Sequence, residues 1–196
     1  MMISVILTTC NDEMALAHAL AALVPAAADG MVREVIVVDA RSTDDTRTVA
    51  DAAGCKILPG SGDSGADLAK GAAQARSDWL LFLSPDVVLE PGWQREAREF
   101  IDRLAMAGAG GNRAASFRHV SAGFGWRARL SELGATVRTR VFASPSRKEG
   151  LLVSAQLYRT VGGHRPGKVD GDLARRIGRA RLSFLRSRAV SRVALA

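Results

Sequence analysis

The sequence predicts an α/β protein whose central sheet is mostly parallel and carries helices on both faces. Over residues 1–107, short apolar segments alternate regularly with segments of helical pattern. The apolar segments lack the alternation of polar and apolar residues that half-exposed strands show, which is typical of strands buried on both faces. Helix-capping and turn residues follow the apolar segments, as expected for strand–loop–helix units.

The elements of residues 1–107 can be placed individually. Apolar segments predict strands over residues 3–9, 32–40, 55–58 and 79–83, and the segments between and after them predict helices over residues 13–23, 42–53, 66–76 and 91–107. Asn11 and Asp12 are suited to begin the first helix, and Ser42 and Asp44 the second. Their side chains can accept hydrogen bonds from the first amides of a helix.

The regular alternation ends after residue 107. The remaining sequence predicts a strand over residues 113–120, a helix over 125–142, a strand and a short helix within 150–163, and a basic helix over 172–182 that leads into a last strand. On that basic helix, Arg175 and Arg179 are predicted to share one face, because residues four positions apart are neighbours on a helix.

Charge is distributed unevenly along the chain. The net charge is +7, but residues 1–110 carry 9 basic and 16 acidic residues, whereas residues 111–196 carry 18 and 4, giving −7 and +14. A basic half is typical of contact with an anionic partner, such as nucleic acid, an anionic membrane surface or a phosphorylated substrate. Nucleic acid is disfavoured because the arginines are not interleaved with aromatic residues that could stack on bases. A solvated, arginine-rich surface is the alternative.

The composition argues against several classes of protein. No apolar segment reaches the roughly 20 residues that a membrane-spanning helix needs. No basic leader precedes the first apolar run, so we expect no signal peptide. Cys10 and Cys55 are too few for a disulfide framework or a cysteine metal cluster. We therefore expect a single globular domain of residues 1–196 in the cytoplasm.

The segment GSGDSG at residues 60–65 matches the glycine pattern of dinucleotide-binding loops. It follows a predicted strand and precedes a predicted helix, and Asp86 lies about 20 residues further on, as the ribose-binding acid of that fingerprint does. However, the match falls on the third strand instead of the first, and Pro59 interrupts the approach to the turn. NAD or FAD binding and a plain strand-to-helix loop both remain open.

Polar residues follow three of the predicted strands. Asn11 and Glu13 come after the first strand in ISVILTTCNDE, Asp39 ends the second in EVIVVDARSTDDT, and Asp86 follows the fourth in DWLLFLSPDVVLEPGW. In open parallel sheets, ligands bind beyond the carboxyl ends of the strands. On these segments the chain resembles the family 2 glycosyltransferases of the GT-A fold, and most of all the small bacterial branch called selenodomain-associated transferases.

The resemblance implies a nucleoside-diphosphate-sugar donor and a divalent metal, Mn²⁺ or Mg²⁺. Asp86 would be the metal ligand, since hard cations bind carboxylate and phosphate oxygens. Asp39 would accept a hydrogen bond from the base or the ribose. Either aspartate could instead serve only a turn. The nucleotide site would lie in a half formed by residues 1–107 and would include Thr9, Asn11, Glu13, Asp39 and Ser42.

The second half, residues 108–196, would hold the acceptor. Its segment VDGDLARRI at residues 169–177 resembles the acceptor-side motif of the family. By this resemblance Asp170 is the general base that takes the proton from the acceptor hydroxyl, and Asp172 is the second candidate. Either residue could instead cap a helix. A single displacement would invert the anomeric carbon. The basic residues nearby suggest a phosphorylated or lipid-linked acceptor, with contact to an anionic membrane at its inner face.

The chain departs from the family pattern at several motifs. Ser84-Pro85-Asp86 keeps only the last carboxylate of the usual metal motif, and Val169 stands where a glutamate is usual. The signature of processive, polymerising members is absent. We therefore expect a non-processive transferase. The alternative is a catalytically weakened nucleotide-binding or scaffold protein of the same fold.

Overall fold

A computed structural model describes residues 2–108, 110–121, 149–168 and 171–191. Eight strands of these residues form one sheet. The strands are β1 (Ile3–Thr9), β2 (Val32–Asp39), β3 (Lys56–Pro59), β4 (Trp79–Leu83), β5 (Val87–Leu89), β6 (Ala114–Ser121), β7 (Leu151–Ser154) and β8 (Leu182–Ser191). The helices are α1 (Glu13–Ala28), α2 (Thr46–Ala52), α3 (Ser64–Ala73), α4 (Trp93–Met106), α5 (Ala155–Thr160) and α6 (Asp172–Ile177).

Strand β1 lies inside the parallel part of the sheet. The strand order is β3-β2-β1-β4-β7-β6-β8-β5. β1 pairs in parallel with β2 and β4, and β2 pairs in parallel with β3. β7 is antiparallel to β4 and β6, β5 is antiparallel to β8, and β6 is parallel to β8. The predicted α/β class with a mostly parallel sheet is confirmed, and strands from both halves of the chain share the sheet.

Helices cover both faces of the sheet, as predicted. Val5 and Leu7 of β1 pack on one face in a cluster with apolar residues of α1 and α4. Ile6 points to the other face and packs with residues of α3, α5 and α6. All three side chains are fully buried, and burial of each contributes roughly 1.5–3 kcal/mol. Within the described ranges, no helix combines the length and apolar character needed to cross a membrane.

In the first half, the structure differs from the prediction at the end of α1 and by an additional strand, β5. Helix α1 continues through Pro25 to Ala28 instead of ending at residue 23. Proline cannot donate to the carbonyl four residues earlier, but that carbonyl belongs to Ala21, which is exposed, so water can satisfy it. The three-residue strand β5 was not predicted, because its pairing depends on β8 about a hundred positions further along the chain.

The predicted basic helix over residues 172–182 is wrong beyond Ile177. Gly178 has φ of 81°, a conformation that ends α6, and residues 179–181 form a 3₁₀ turn before β8. Arg175 and Arg179 therefore do not share a helix face. The helix predicted over residues 125–142 lies outside the described residues.

Glu96 of α4 holds that helix against β8. Its carboxylate accepts hydrogen bonds from the amides of Arg186 (2.7 Å) and Ser187 (2.8 Å) and from the Ser187 hydroxyl (2.6 Å). The register of β8 against β6 shifts beside these residues. Partial burial alone would raise the pKa of Glu96, but these hydrogen bonds outweigh it and lower the pKa. The ionised carboxylate thus serves as the partner of backbone amides that the sheet does not pair.

Replacing Glu96 with Gln should destabilise the fold by roughly 1–3 kcal/mol, because a neutral amide oxygen replaces a charged acceptor of three hydrogen bonds. Urea unfolding at pH 7 measures this, with Glu99→Gln on the exposed side of the same helix as the control. Since folding lowers the Glu96 pKa, its contribution is present above the unfolded pKa and is lost as pH falls through the folded value. The difference between wild type and Glu96→Gln should therefore shrink in acid. Equal unfolding midpoints for Glu96→Gln and Glu99→Gln would contradict this role of Glu96.

Candidate functional site

A cleft of about 490 Å³ opens beyond the carboxyl ends of β1 and β4. Its wall includes Thr9 at the end of β1, Asp12 in the following loop, Asp67 of α3, and the Ser84–Asp86 turn after β4. The volume lies within the range of small-molecule sites. Because it opens beyond the carboxyl ends of β1 and β4, the cleft lies where ligands bind in open parallel sheets.

The loops that follow β1 and β2 are tied together by side chains. The side-chain Oδ1 of Asn11 accepts from the Thr43 backbone amide at 2.8 Å, and the backbone amide of Asn11 donates to the Ser42 hydroxyl oxygen at 2.9 Å. Asp44 accepts from the amides of Glu13 (3.2 Å) and Thr46 (3.1 Å). The two loops therefore form one hydrogen-bonded unit that includes the predicted residues Asn11, Glu13 and Ser42.

The backbone of these loops is held in unusual conformations. Asn11 has φ of 56° and Arg41 has φ of 59°, the two non-glycine residues with positive φ in the described chain. Asparagine tolerates this region, but an arginine there is disfavoured. Strain of this kind persists only where surrounding contacts enforce it, and it concentrates at ligand-binding sites.

Asp39 is buried, with 4% of its surface exposed, and supports the turn after β2. Its carboxylate accepts from the amide and the hydroxyl of Ser42, and weakly from the Thr9 hydroxyl at 3.4 Å. Helix α2 begins later than predicted, and its N-cap residue Asp45 makes no capping hydrogen bond. Asp39, Ser42 and Thr9 lie together. Ser42 does not cap α2 as predicted, because its hydroxyl donates to Asp39 and accepts from the Asn11 backbone amide.

Asp86 and Asp12 bring two carboxylates to the cleft. Asp86 lies in the turn after β4, where the Val87 amide donates to the Ser84 carbonyl at 3.1 Å. The pKa of Asp12 is raised, first by burial and further by repulsion from Asp86 and Asp44, against the lowering effect of the Cys10 amide. The Ser-Pro-Asp sequence is therefore both a turn and part of the cleft. Asp12 was missed as a site residue because its type suited a helix cap equally well.

This pair of carboxylates fits a divalent cation that is shared with a diphosphate. No cluster of three or more metal-binding side chains occurs among the described residues. Magnesium-like ions are often held by one or two carboxylates plus phosphate oxygens. Burial is the main cause of the raised Asp12 pKa, and Asp86 adds a repulsion that a bound cation would relieve.

The glycine-rich loop does not offer a cradle for phosphates. The Asp67 carboxylate accepts from the amides of Ser61 (2.8 Å) and Gly62 (3.0 Å), and Asp63 accepts from Gly65 (2.8 Å). Dinucleotide-binding loops use such amides to hold the pyrophosphate. The loop also follows β3, at the edge of the sheet. The structure therefore contradicts NAD or FAD binding by this loop.

Asp172 begins α6 and pairs with Arg176 at 2.8 Å. Desolvation would raise the pKa of Asp172, but the hydrogen bond and charge of Arg176, with the charges of Arg165 and Arg175, lower it. Asp172 is therefore an ionised carboxylate that a guanidinium already engages. Asp170, the first candidate base, lies outside the described residues.

Solved structures of glycosyltransferases share this architecture. S. aureus TarS, in a structure of residues 1–349, superposes with a TM-score of 0.71 and 19% identity, over 97% of this chain and 60% of that chain. Glucosyl-3-phosphoglycerate synthase from Mycobacterium tuberculosis, in complex with Mn²⁺ and UDP-glucose, gives 0.69 and 22%, over 98% of this chain and 71% of that chain. The GT-A fold is thereby confirmed. The present chain spans only part of the length of either.

A comparison with curated proteins finds no match. The sequence model described as glycosyl transferase family 2 matches residues 4–143. That match covers most of the chain and includes β1, the two tied loops and the Asp86 turn. The fold, the cleft and the sequence match agree, and the chain belongs to glycosyl transferase family 2.

Proposed function

We propose that this protein is a non-processive glycosyltransferase that moves a sugar from a nucleoside-diphosphate sugar to an acceptor hydroxyl, with inversion and with a divalent metal. The observation that carries the proposal is that the carboxylates of Asp12 and Asp86 both line a cleft at the carboxyl ends of parallel strands, where the charge of Asp86 acts on Asp12. The family assignment supplies the reaction class.

The nucleoside would bind against the tied loops of the first half. Thr9 lines the cleft, and its hydroxyl reaches the Asp39 carboxylate. Asn11, Glu13 and Ser42 would fix the shape of this wall through their contacts across the two loops. Asp39 would accept a hydrogen bond from the base or ribose while it holds Ser42, since each carboxylate oxygen has two lone pairs.

Asp86, with Asp12, would hold Mn²⁺ or Mg²⁺. When bound, the cation would neutralise the charge that develops on the leaving diphosphate. The similar synthase from M. tuberculosis was solved with Mn²⁺ and UDP-glucose. Pro85 is buried between the polar residues Ser84 and Asp86. Together with this proline, the carboxylates of Asp12 and Asp86 would orient the diphosphate towards the second half.

The general base would be Asp170, with Asp172 as the second candidate. Asp172 is engaged by Arg176, and its lowered pKa weakens it as a proton acceptor. This favours Asp170. The base would take the proton of the acceptor hydroxyl as the oxygen attacks the anomeric carbon and the bond to the diphosphate breaks. One such displacement inverts the configuration.

The remaining expectations about this protein stay proposals. They are membership of the bacterial selenodomain-associated branch, division of labour between residues 1–107 and 108–196, and a cytoplasmic location with peripheral contact to an anionic membrane. The motifs of the sequence support the branch, and the net charge of +14 over residues 111–196 supports an anionic acceptor or surface.

A nucleotide-binding protein without catalytic turnover is the second candidate function. It is favoured by Ser84, which stands where the family's metal motif usually has another acid. In that case the cleft would bind nucleotide without needing the cation. The metal dependence of nucleotide binding separates the two functions.

Asp86→Asn should remove the gain in nucleotide affinity that Mn²⁺ provides. By calorimetry, the wild type should bind UDP about ten-fold more tightly in Mn²⁺ than in EDTA, a difference of roughly 1.4 kcal/mol. The variant should show no such difference. Asp78→Asn, at the opposite end of β4 and exposed, is the matched control. If the wild type binds UDP equally well in EDTA, a metal-dependent transferase is ruled out and the binding protein is favoured.

Asp39→Asn should weaken UDP binding about ten-fold, since a hydrogen bond to a charged group is worth roughly 1.5–3 kcal/mol. The single amide oxygen cannot replace both carboxylate oxygens that accept from Ser42, so the melting temperature should also fall, and UDP affinity is measured at a temperature where both proteins are folded. Asp51→Asn, exposed on α2, controls for the loss of charge. Unchanged UDP affinity in Asp39→Asn would remove this residue from the site.

Asp170→Asn should abolish the release of UDP from UDP-glucose, with water as acceptor, and leave UDP binding within about two-fold of the wild type, because a general base acts in the transition state. Asp172→Asn should retain turnover. A steady-state assay with calorimetry on the same samples makes the comparison. Loss of turnover only in Asp172→Asn would transfer the role of base to that residue.

A further inference from the structure

Arg165 lies in the loop that follows α5, and Arg175 lies in α6, which is joined to that loop by hydrogen bonds from Arg176 to the carbonyl oxygens of Val161 and Gly163. The surface formed by this loop and α6 is called the rim here. Both Arg165 and Arg175 are exposed, and the charges of both act on the Asp172 carboxylate. We propose that Arg165 and Arg175 bind a phosphate group of the acceptor, so that the acceptor is a phosphorylated molecule. The inference rests on the proposed function, because it assigns the acceptor to this rim.

The position of Arg165 follows from contacts between the two halves of the chain. Gly65 packs so closely on the Arg165 backbone that a Cβ at that position would clash with the Arg165 carbonyl oxygen. The Gly167 amide donates to the Asp63 carboxylate at 2.6 Å. Ser64, which lies between Asp63 and Gly65, lines the cleft. The loop that carries Arg165 therefore packs against the residues on either side of the cleft residue Ser64.

This loop is anchored on its other side as well. The His164 amide donates to the Tyr158 hydroxyl oxygen at 3.0 Å, and the two side chains are in hydrogen-bond contact at 3.1 Å. Arg176 donates to the carbonyl oxygens of Val161 and Gly163. A loop fixed in this way presents Arg165 with little loss of backbone freedom when a ligand binds, which favours affinity.

The charges at the rim leave room for an anion. Arg176 already neutralises Asp172 through their ion pair. The Asp63 carboxylate is occupied by backbone amides. Arg175 uses Nε to donate to the Gly171 carbonyl at 3.4 Å, and in the described ranges its terminal nitrogens make no hydrogen bond. Among the described residues, these two guanidinium groups thus outweigh the nearby carboxylates that remain unneutralised, and guanidinium pairs well with phosphate through paired N–H donors.

The test is a titration of the full chain with inorganic phosphate at constant ionic strength, followed by amide NMR shifts in the presence of saturating UDP and Mn²⁺. UDP blocks the donor cleft, so phosphate should shift saturably the amides of residues 165–168 and 171–176. The double variant Arg165→Gln/Arg175→Gln should weaken phosphate binding about ten-fold or more, as expected for loss of charge-assisted hydrogen bonds. Arg165→Lys should fall between, because it keeps the charge without the paired donors.

The control is Arg159→Gln, which removes an exposed arginine of α5 that is not among the arginines acting on the Asp172 carboxylate and should leave phosphate binding within about two-fold of the wild type. Equal weakening in this control, or shifts that the double variant does not reduce, would overturn the inference. If the double variant misfolds by its amide spectrum, Arg165→Lys carries the test alone.

The same samples separate failure of this inference from failure of the proposed function. UDP should shift amides around Thr9, Ala40 and Asp86. If UDP binds there and phosphate does not bind at the rim, only the phosphate site is overturned. If UDP does not bind, the donor site is overturned, and the acceptor role of the rim falls with it even where phosphate binds.

Two sources could supply the phosphate, a water-soluble phosphate ester or a phospholipid. Glycerol 1-phosphate, compared with glycerol, tests the first. Vesicles of phosphatidylcholine with and without phosphatidic acid test the second by co-sedimentation. Binding lost in the double variant and kept in Arg159→Gln supports the rim in either arm and assigns the source. Binding that survives in the double variant in both arms would overturn the assignment.

Discussion

The parallel pairing of β1 with both β2 and β4 is the constraint on which the site depends. It fixes the carboxyl ends of three strands at one edge of the sheet, so that Thr9, Asp39 and the Ser84–Asp86 turn come together from distant positions in the chain. β1 is buried on both faces, with Val5, Ile6 and Leu7 fully inaccessible. A register slip would turn these side chains to the opposite faces, where the packing does not fit them. The strand therefore sets the geometry of the cleft as well as the core.

The cleft illustrates how a fold can keep like charges close together. Burial raises the pKa of Asp12, and repulsion from Asp86 and Asp44 raises it further. The surrounding structure tolerates this because hydrogen bonds cross-link the loops: the hydroxyl oxygens of Ser42 and Thr46 accept from the backbone amides of Asn11 and Asp12, and the Asn11 side chain accepts from the Thr43 amide. Arrangements of this kind favour a function over stability, since a charge pair that served only the fold would be opposite in sign.

Much of the architecture could be predicted from the sequence because local patterns determine it. The strands of the first half are largely apolar, and the residues after them are of types that make turns, so β1, β2 and β4 could be located and Asp39 and Asp86 recognised at the ends of β2 and β4. Asp12 could not be distinguished from a helix cap, because its role depends on a carboxylate 74 positions away. The glycine pattern of GSGDSG matches a dinucleotide loop, but in the structure the carboxylates of Asp63 and Asp67 accept hydrogen bonds from amides of this loop.

The close approach of Gly65 to Arg165 has a consequence for protein engineering. The glycine belongs to the first half of the chain and the arginine to the second half, yet any side chain at residue 65 would collide with the Arg165 backbone. Chimeras that join the first half of this protein to the second half of a relative would need glycine at the corresponding position, together with an aspartate equivalent to Asp63. Recombination points chosen by secondary structure alone would miss this requirement, and the resulting hybrids would carry a displaced loop in an otherwise intact sheet.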